Sequence, residues 1–329
     1  MKLSICIPHC DEDTDVVVNM LESIKIQQNV DFKEIEVVIV NDGKDFDKLK
    51  AINEKDYPFK LKRVSAKHGG VSATRDKAFD ESSGEYVMFC DVDDMFYNAC
   101  GIYIIFKEME KNQFDVLISS FIEETRDKDK NPVYVPHEVD MTFVHGKVYR
   151  RQYLINNNIR WNHNLTIHED SYFNYLAINL CDKEKYGKFC NTPFYLWRWR
   201  DASVCRHDPK YILKTYNNML ESSTCLINEL TSRHKDELAQ QTVTHMVYDA
   251  YFTMNKKEWL DQENQEYRHK TELRFKKYYH DFLDIFNSIP EDAKTQIIIG
   301  LKNRMYREGL VMESITFADW IKEIETLTE

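Results

Sequence analysis

Short, nearly continuous apolar runs alternate with amphipathic stretches through the first half of the chain. Residues 3–8 and 36–40 are runs of the kind buried on both faces of a parallel sheet. Between them, residues 14–28 place Val17, Met20, Leu21 and Ile24 at helical spacing. Asn41-Asp42-Gly43 then closes the second run with a strong turn signal. The pattern continues with strands at 61–65 and 85–90, a helix at 72–82 stopped by Gly84, a helix at 101–112 and a strand at 115–119. This β-α-β-α-β order predicts an α/β fold, a mostly parallel sheet flanked by helices. Residues 123–138 are polar, carry Pro132 and Pro136, and read as a surface excursion. Residues 148–157 and 170–180 read as helices and 188–198 as a strand.

The texture changes near Pro209. From 210 onward only Gly300, Gly309 and Pro290 interrupt long amphipathic stretches at 211–232, 236–260, 263–289 and 291–307. An all-α C-terminal domain is therefore expected over 209–329, after a first domain over 1–208; 329 residues suit two domains of about 150 each. With no leader pattern and no run of 18 apolar residues, the chain reads as cytoplasmic, with peripheral attachment to a membrane left open. None of the eight cysteines forms a CxxC pair, which removes support for zinc-ribbon and thioredoxin-like readings. The formal net charge of −11 argues against a nonspecific nucleic-acid binder. It leaves room for an acidic site that holds a cation.

Sheets of this kind bind ligands at the carboxyl ends of their strands. His9 to Asp11, Asn41 to Gly43 and Asp91 to Asp94 all fall there, so three polar loops should converge on one rim. Asp91, Asp93 and Asp94 repel one another unless a cation sits among them, and hard oxygen ligands on a tight turn suit Mn²⁺ or Mg²⁺. Gly69-Gly70 lets backbone approach a ligand at a helix N-terminus, and Arg75 can contact an anion.

In order and spacing, four segments resemble the family 2 inverting glycosyltransferases, whose fold is of the GT-A type. They are residues 4–8, residues 38–43, residues 69–75 leading through Gly84-Glu85-Tyr86 into Asp91-Val92-Asp93-Asp94, and residues 147–151 followed by His168-Glu169-Asp170. The resemblance covers about residues 1–205. It implies that Asp42 accepts the uracil N3–H of a UDP-sugar, with Pro8, Asp11, Gly70 and Arg75 also at the nucleotide. His9-Cys10 stands where the family usually has Tyr-Asn, and Thr74-Arg75-Asp76 replaces its Ala-Arg-Asn. Asp91 resembles the first Asp of the DxD motif, near ribose and metal, Asp93 the metal ligand, and Asp94 a contact to the donor sugar. Asp170 resembles the catalytic base, with Glu169 its paired acid. A neighbouring carboxylate would raise a base into a useful range for taking a proton from the attacking hydroxyl.

Residues 195–206 resemble a segment that follows the base in non-processive members. Arg198, Arg200, Ser203 and Arg206 are candidates for the diphosphate, and His207 for the metal. The QxxRW signature of processive synthases is missing. The resemblance therefore implies one transfer per encounter from a nucleotide-sugar to a hydroxyl acceptor, such as a surface glycan or teichoic-acid-like polymer. Competing readings are transfer to a modified nucleobase, a nucleotidyltransferase, and an inactive glycan-binding or assembly protein that forms homo-oligomers through its C-terminal helices. His145, His163 and His168 read as surface or satisfied histidines. Trp161 reads equally as a sugar platform or as core.

Overall fold

The structure, a computed structural model, describes residues 1–111, 113–138, 140–182, 190–200, 211–307, 309 and 315–328. The chain divides into two compact units, Met1–Ser203 and Val204–Glu329.

The first unit holds the strands β1 (Leu3–His9), β2 (Ile35–Asn41), β3 (Lys60–Ser65), β4 (Tyr86–Phe89), β5 (Met95–Phe96), β6 (Val116–Arg126), β7 (Pro132–His137), β8 (Lys147–Arg150) and β9 (Cys190–Trp197). They form one sheet in the order β3-β2-β1-β4-β8-β6-β9-β5, with β7 paired to β6. The run β3-β2-β1-β4 is parallel, so its carboxyl ends open on one rim. Strand β8 joins β4 and β6 antiparallel, and β9 runs parallel to β6. Its helices are α1 (Thr14–Lys25), α2 (Asp47–Lys50), α3 (Gly70–Glu81), α4 (Gly101–Lys111), α5 (Arg151–Asn156) and α6 (Glu169–Asn179). The core follows the expected pattern: every residue of β2 is buried, and α1 buries Val17, Met20, Leu21 and Ile24 against the sheet.

The second unit contains α7 (Tyr211–Ser232), α8 (Asp236–Met254), α9 (Lys257–Leu260), α10 (Gln265–Asp281), α11 (Leu283–Ser288), α12 (Glu291–Arg307) and α13 (Phe317–Thr326). Its core gathers Trp259, Phe275 and Trp320 around α8. Asp249 is buried there between Tyr216 Oη at 2.6 Å and Arg304 Nη2 at 2.5 Å, so its charge is paired.

Several expected elements differ. Residues 123–138 are a β-hairpin rather than an irregular excursion, because β6 runs on to Arg126 and β7 returns along it. Residues 148–157 are not one helix: β8 occupies 147–150 and α5 the rest. Four residues are too few for a two-residue period to stand out, and pairing to β4 and β6 decides the outcome. The expected helices 236–260 and 263–289 each break, at Asn255–Lys256 and at Phe282. Strand β5 and helix α13 were not anticipated.

Glu36 is the one acid inside the parallel half that faces no solvent. Its carboxylate accepts from Ser4 Oγ at 2.6 Å, Ser83 Oγ at 2.9 Å, Lys60 Nζ at 3.1 Å and the Ser83 amide. Burial alone would raise its pKa, but these donors outweigh burial and bring it down to about 2. Gly84 is required beside this network, since a Cβ there would lie 2.4 Å from Ser4 Oγ. A carboxylate depressed on folding stabilises the native state above its ordinary range and loses that effect as pH falls toward the folded value. Glu36→Gln is therefore expected to cost about 2 kcal/mol in urea unfolding at pH 7. The gap from the wild type should narrow as pH drops from above the ordinary glutamate range toward about 2.

Candidate active site

The rim is built from the ends of the parallel strands. At the end of β1, His9 is buried and its carbonyl accepts the Asp42 amide at 2.7 Å, which joins the first two loops. Pro8 lies within β1, and Asp11 lies outside it, paired with Lys48 at 3.2 Å. The Asp42 carboxylate grips the start of α3: Oδ1 accepts from the Gly69 amide at 2.8 Å and Oδ2 from the Gly70 amide at 3.1 Å and His68 Nδ1 at 2.9 Å. Gly43 and Gly70 both have positive φ, at 75° and 83°. At Gly43 a Cβ would strike the His68 backbone, whereas at Gly70 it would meet nothing within 4 Å, so the backbone there faces open space.

Arg75 is the centre of the site. Its side chain is only 3% exposed, yet it projects from α3 among three carboxylates. Nη1 donates to Asp170 Oδ1 at 2.7 Å and Glu169 Oε1 at 3.0 Å, and Nη2 donates to Asp91 Oδ1 at 2.8 Å. Below it the guanidinium lies 4.6 Å from the Trp161 ring, which stacks on Phe173 at 4.2 Å. Trp161 is thus buried core supporting Arg75, which settles the two readings of that residue. Asp76, the departure from the usual motif, also has a clear structural part: it accepts from His163 Nε2 at 2.8 Å and the Trp161 amide at 3.3 Å, fixing that same loop.

One guanidinium facing three carboxylates leaves negative charge in excess, and the acids respond differently. Burial would lift the Asp91 carboxyl, but Arg75 and then His145 hold it below its usual range. At Asp170 burial prevails: although Arg75 opposes it, Glu169 and Asp91 add to it, and the carboxyl is pushed up to about 7. Burial would also weaken the Arg75 proton, yet its three acidic partners, Asp170 first, raise its pKa.

The 91–94 turn follows β4. Asp94 is buried, accepting from Tyr195 Oη at 2.7 Å and the Arg198 amide at 3.0 Å. Burial and the charges of Asp93 and Asp91 push its carboxyl well up. Asp93 turns toward Arg200, 2.9 Å from Nη1. Among the described residues, the ligand atoms that converge belong to Asp91, Asp94 and His145, all within 4.8 Å of one another. The expected metal set was Asp91, Asp93 and His207; His207 and Ser203 lie outside the described residues.

Sequence reasoning read His145 as a surface or satisfied histidine and gave Lys147, the first residue of a resembling segment, no role of its own. His145 sits 3.6 Å from Asp94 Oδ2, stacked on Tyr195, and its buried Nδ1 has no hydrogen-bond partner. Burial lowers its pKa to about 4, so the ring is neutral at pH 7. Lys147 is fully buried, and burial lowers its ammonium to about 8 against the pull of Asp140 and Asp170. A histidine and a lysine flanking Gly146, just before a short strand, were the available signal. His168, which precedes α6, adopts a left-handed backbone (φ 64°) that turns Glu169 and Asp170 into the first turn of the helix.

The sequence profile of Glycosyl transferase family 2 matches residues 4–174. This chain belongs to that family. The matched stretch runs from β1 into α6 and includes Asp42, Arg75, Asp91 to Asp94, Glu169 and Asp170. Among related proteins of the glycosyltransferase family, the minor teichoic acid biosynthesis protein GgaB of Bacillus subtilis is 24% identical over 239 residues, covering 66% of this chain and 25% of GgaB. An uncharacterized glycosyltransferase of Rickettsia conorii, RC0461, is 33% identical over 115 residues, covering 34% of this chain and 18% of that protein. The chain therefore spans a quarter or less of the length of these two relatives. In fold it is similar to the crystal structure of S. aureus TarS 1-349, with a TM-score of 0.62 at 18% identity over 95% of this chain and 96% of that one. The α/β unit is accordingly a GT-A-type glycosyltransferase fold followed by a helical region. No helix among the described residues is long and apolar enough to cross a membrane.

The cluster makes a spectroscopic prediction. With ¹³C-labelled aspartate, one carboxyl resonance should titrate with an apparent pKa of about 7. It should vanish in Asp170→Asn, and its absence from the wild type would contradict a carboxyl raised by burial at this position.

Proposed function

We propose that this glycosyltransferase moves a hexosyl or N-acetylhexosaminyl group from a UDP-sugar to a hydroxyl of a teichoic-acid-like glycan, with inversion at the anomeric carbon. The observation that carries the reading is the single buried guanidinium tying Asp170 to Asp91. It couples a carboxylate raised to about 7 to the acidic turn at the end of β4. The donor class draws support from TarS, crystallised with UDP and with UDP-GlcNAc. The acceptor class draws support from the name of GgaB.

In this reading Asp170 takes the acceptor hydroxyl proton while that oxygen attacks the anomeric carbon, and the bond from that carbon to the diphosphate breaks with its electrons leaving on the diphosphate. A carboxylate has about four acceptor positions, so Asp170 can take this proton while still bound to Arg75. Glu169 shares Arg75 with the base, 3.0 Å from Nη1. Gly70 gives the donor an open approach, and Pro8, Asp11 and Asp42 border the nucleotide. Asp42 then acts both as a base contact and as the clamp on Gly69 and Gly70. Arg200 and Ser203 remain the proposed diphosphate contacts.

The residues present fit a divalent cation. Asp91 and Asp94 supply oxygens and the unpartnered His145 Nδ1 a nitrogen, a mixed set that favours Mn²⁺ over Mg²⁺. Asp93 and His207 stay candidates from the sequence. When bound, such a cation would neutralise the departing diphosphate. We assign residues 1–208 to catalysis and 209–329 to acceptor binding or self-association.

A panel of UDP-sugars with Mn²⁺ and a polyol-phosphate glycan tests this by UDP release. One donor should turn over, with kcat/KM rising as pH increases through about 7, because the base must lose its proton. Asp170→Asn should lower kcat by about 10²–10⁴-fold and leave UDP binding in place. Pyrophosphate release from a nucleoside triphosphate, or glycan binding without turnover of any donor, would overturn the proposal.

A further inference from the structure

Residues 140–147 connect β7 to β8 and lie against the start of α6. We propose that Lys147 is a positioning residue whose buried ammonium fastens this segment so that the Val144 amide orients the Asp170 carboxylate. The proposal rests on the assignment of Asp170 as the base.

A fully buried lysine is costly unless its charge has partners, so its environment is informative. Lys147 Nζ donates to the Phe143 carbonyl and lies 3.6 Å from Asp140 Oδ1. The same Asp140 oxygen accepts the Thr142 and Phe143 amides, each at 2.8 Å. The Lys147 amide donates to the Val144 carbonyl at 3.1 Å. Helix α6 holds the other side. Asn174, one turn beyond Asp170, donates Nδ2 to the Thr142 carbonyl at 2.6 Å and accepts the Tyr149 hydroxyl. The backbone of 142–144 is thus committed residue by residue, and what it delivers is the Val144 N–H, 3.3 Å from Asp170 Oδ2.

The consequence for the base follows from its two oxygens. Oδ1 is held by Arg75 and Oδ2 by Val144. Without the second contact the carboxylate can rotate about its bond to Cβ, and a displacement near 1 Å at a reacting group can cost about 10²-fold in rate. Lys147 makes no hydrogen bond to the base or the acidic turn, and its charge acts on Asp170 only at a distance, so kcat is compared on the high-pH plateau, where Asp170 is ionised with or without that charge. His145, in the same segment, is also packed against Phe121, Tyr195 and Trp197, which do not depend on Lys147, so donor affinity should change little.

The test compares the full chain with Lys147→Met, which keeps the length of the side chain and removes the charge. Three quantities are measured: kcat and donor KM, UDP affinity by calorimetry, and hydrogen exchange at residues 142–144. The expected result is kcat lower by about 10²-fold, donor KM and UDP affinity within about twofold, and faster exchange confined to the segment. If Lys147→Met does not fold, Asp140→Ala removes the same tie from a partly exposed position and should show the same split. A folded variant with wild-type kcat, or one that loses donor affinity as much as kcat, overturns the proposal. Should the wild type transfer no sugar, the base assignment fails instead. The exchange measurement then decides the positioning alone, and unchanged protection at 142–144 overturns it.

Discussion

One buried guanidinium holds three acids from two distant stretches of the chain in one place. Asp91, Glu169 and Asp170 would repel one another if brought together alone, and no helix or strand preference could assemble them. Arg75 offers five donors in a fixed fork, enough to meet all three, and Trp161 packs beneath it. Breaking such a buried arrangement from one side typically costs about 3–5 kcal/mol, because the partners are left charged and unpaired. The arrangement also explains why the acids differ. Arg75 and His145 outweigh burial at Asp91, whereas at Asp170 burial prevails, with Glu169 and Asp91 adding to it, and leaves its carboxyl at about 7, able to exchange a proton.

Everything around this interaction serves to place it. The parallel strands deliver Asp42 and Asp91 to the same rim, and Asp42 uses its carboxylate to fix the glycines at which α3 begins. Because Arg75 lies in the second turn of α3, the grip of Asp42 on Gly69 and Gly70 also sets where the guanidinium arrives. The loop at 160–163 is held by Asp76 from the same helix. The Asp42 loop, the 160–163 loop and the start of α6 therefore share α3 as a common frame.

The sequence made some of this legible and hid the rest for physical reasons. Continuous apolar runs revealed β1, β2 and β4, and the polar residues at their ends revealed the rim. The resemblance picked out Asp91, Glu169 and Asp170. Their convergence on Arg75 was not visible, since the contacts span 16 to 95 positions and no local pattern encodes them. Arg75 was expected beside the nucleotide, yet its hydrogen bonds here all go to acids of the site. Strand β8 was hidden by its length, and with it the fact that His145 lies beside Asp94 and that Lys147 is buried under the preceding loop. The order of β8, β6 and β9 depends on pairing across the sheet, which periodicity does not address.

The pH dependence of kcat/KM for Arg75→Gln, set beside the wild type, tests the central role of this interaction most directly. Removing the largest positive charge that opposes protonation of Asp170 should move the acid limb up from about 7 by roughly one pH unit or more. An acid limb that stays in place, or moves down, would contradict the view that Arg75 joins the base to the acidic turn and sets its ionisation.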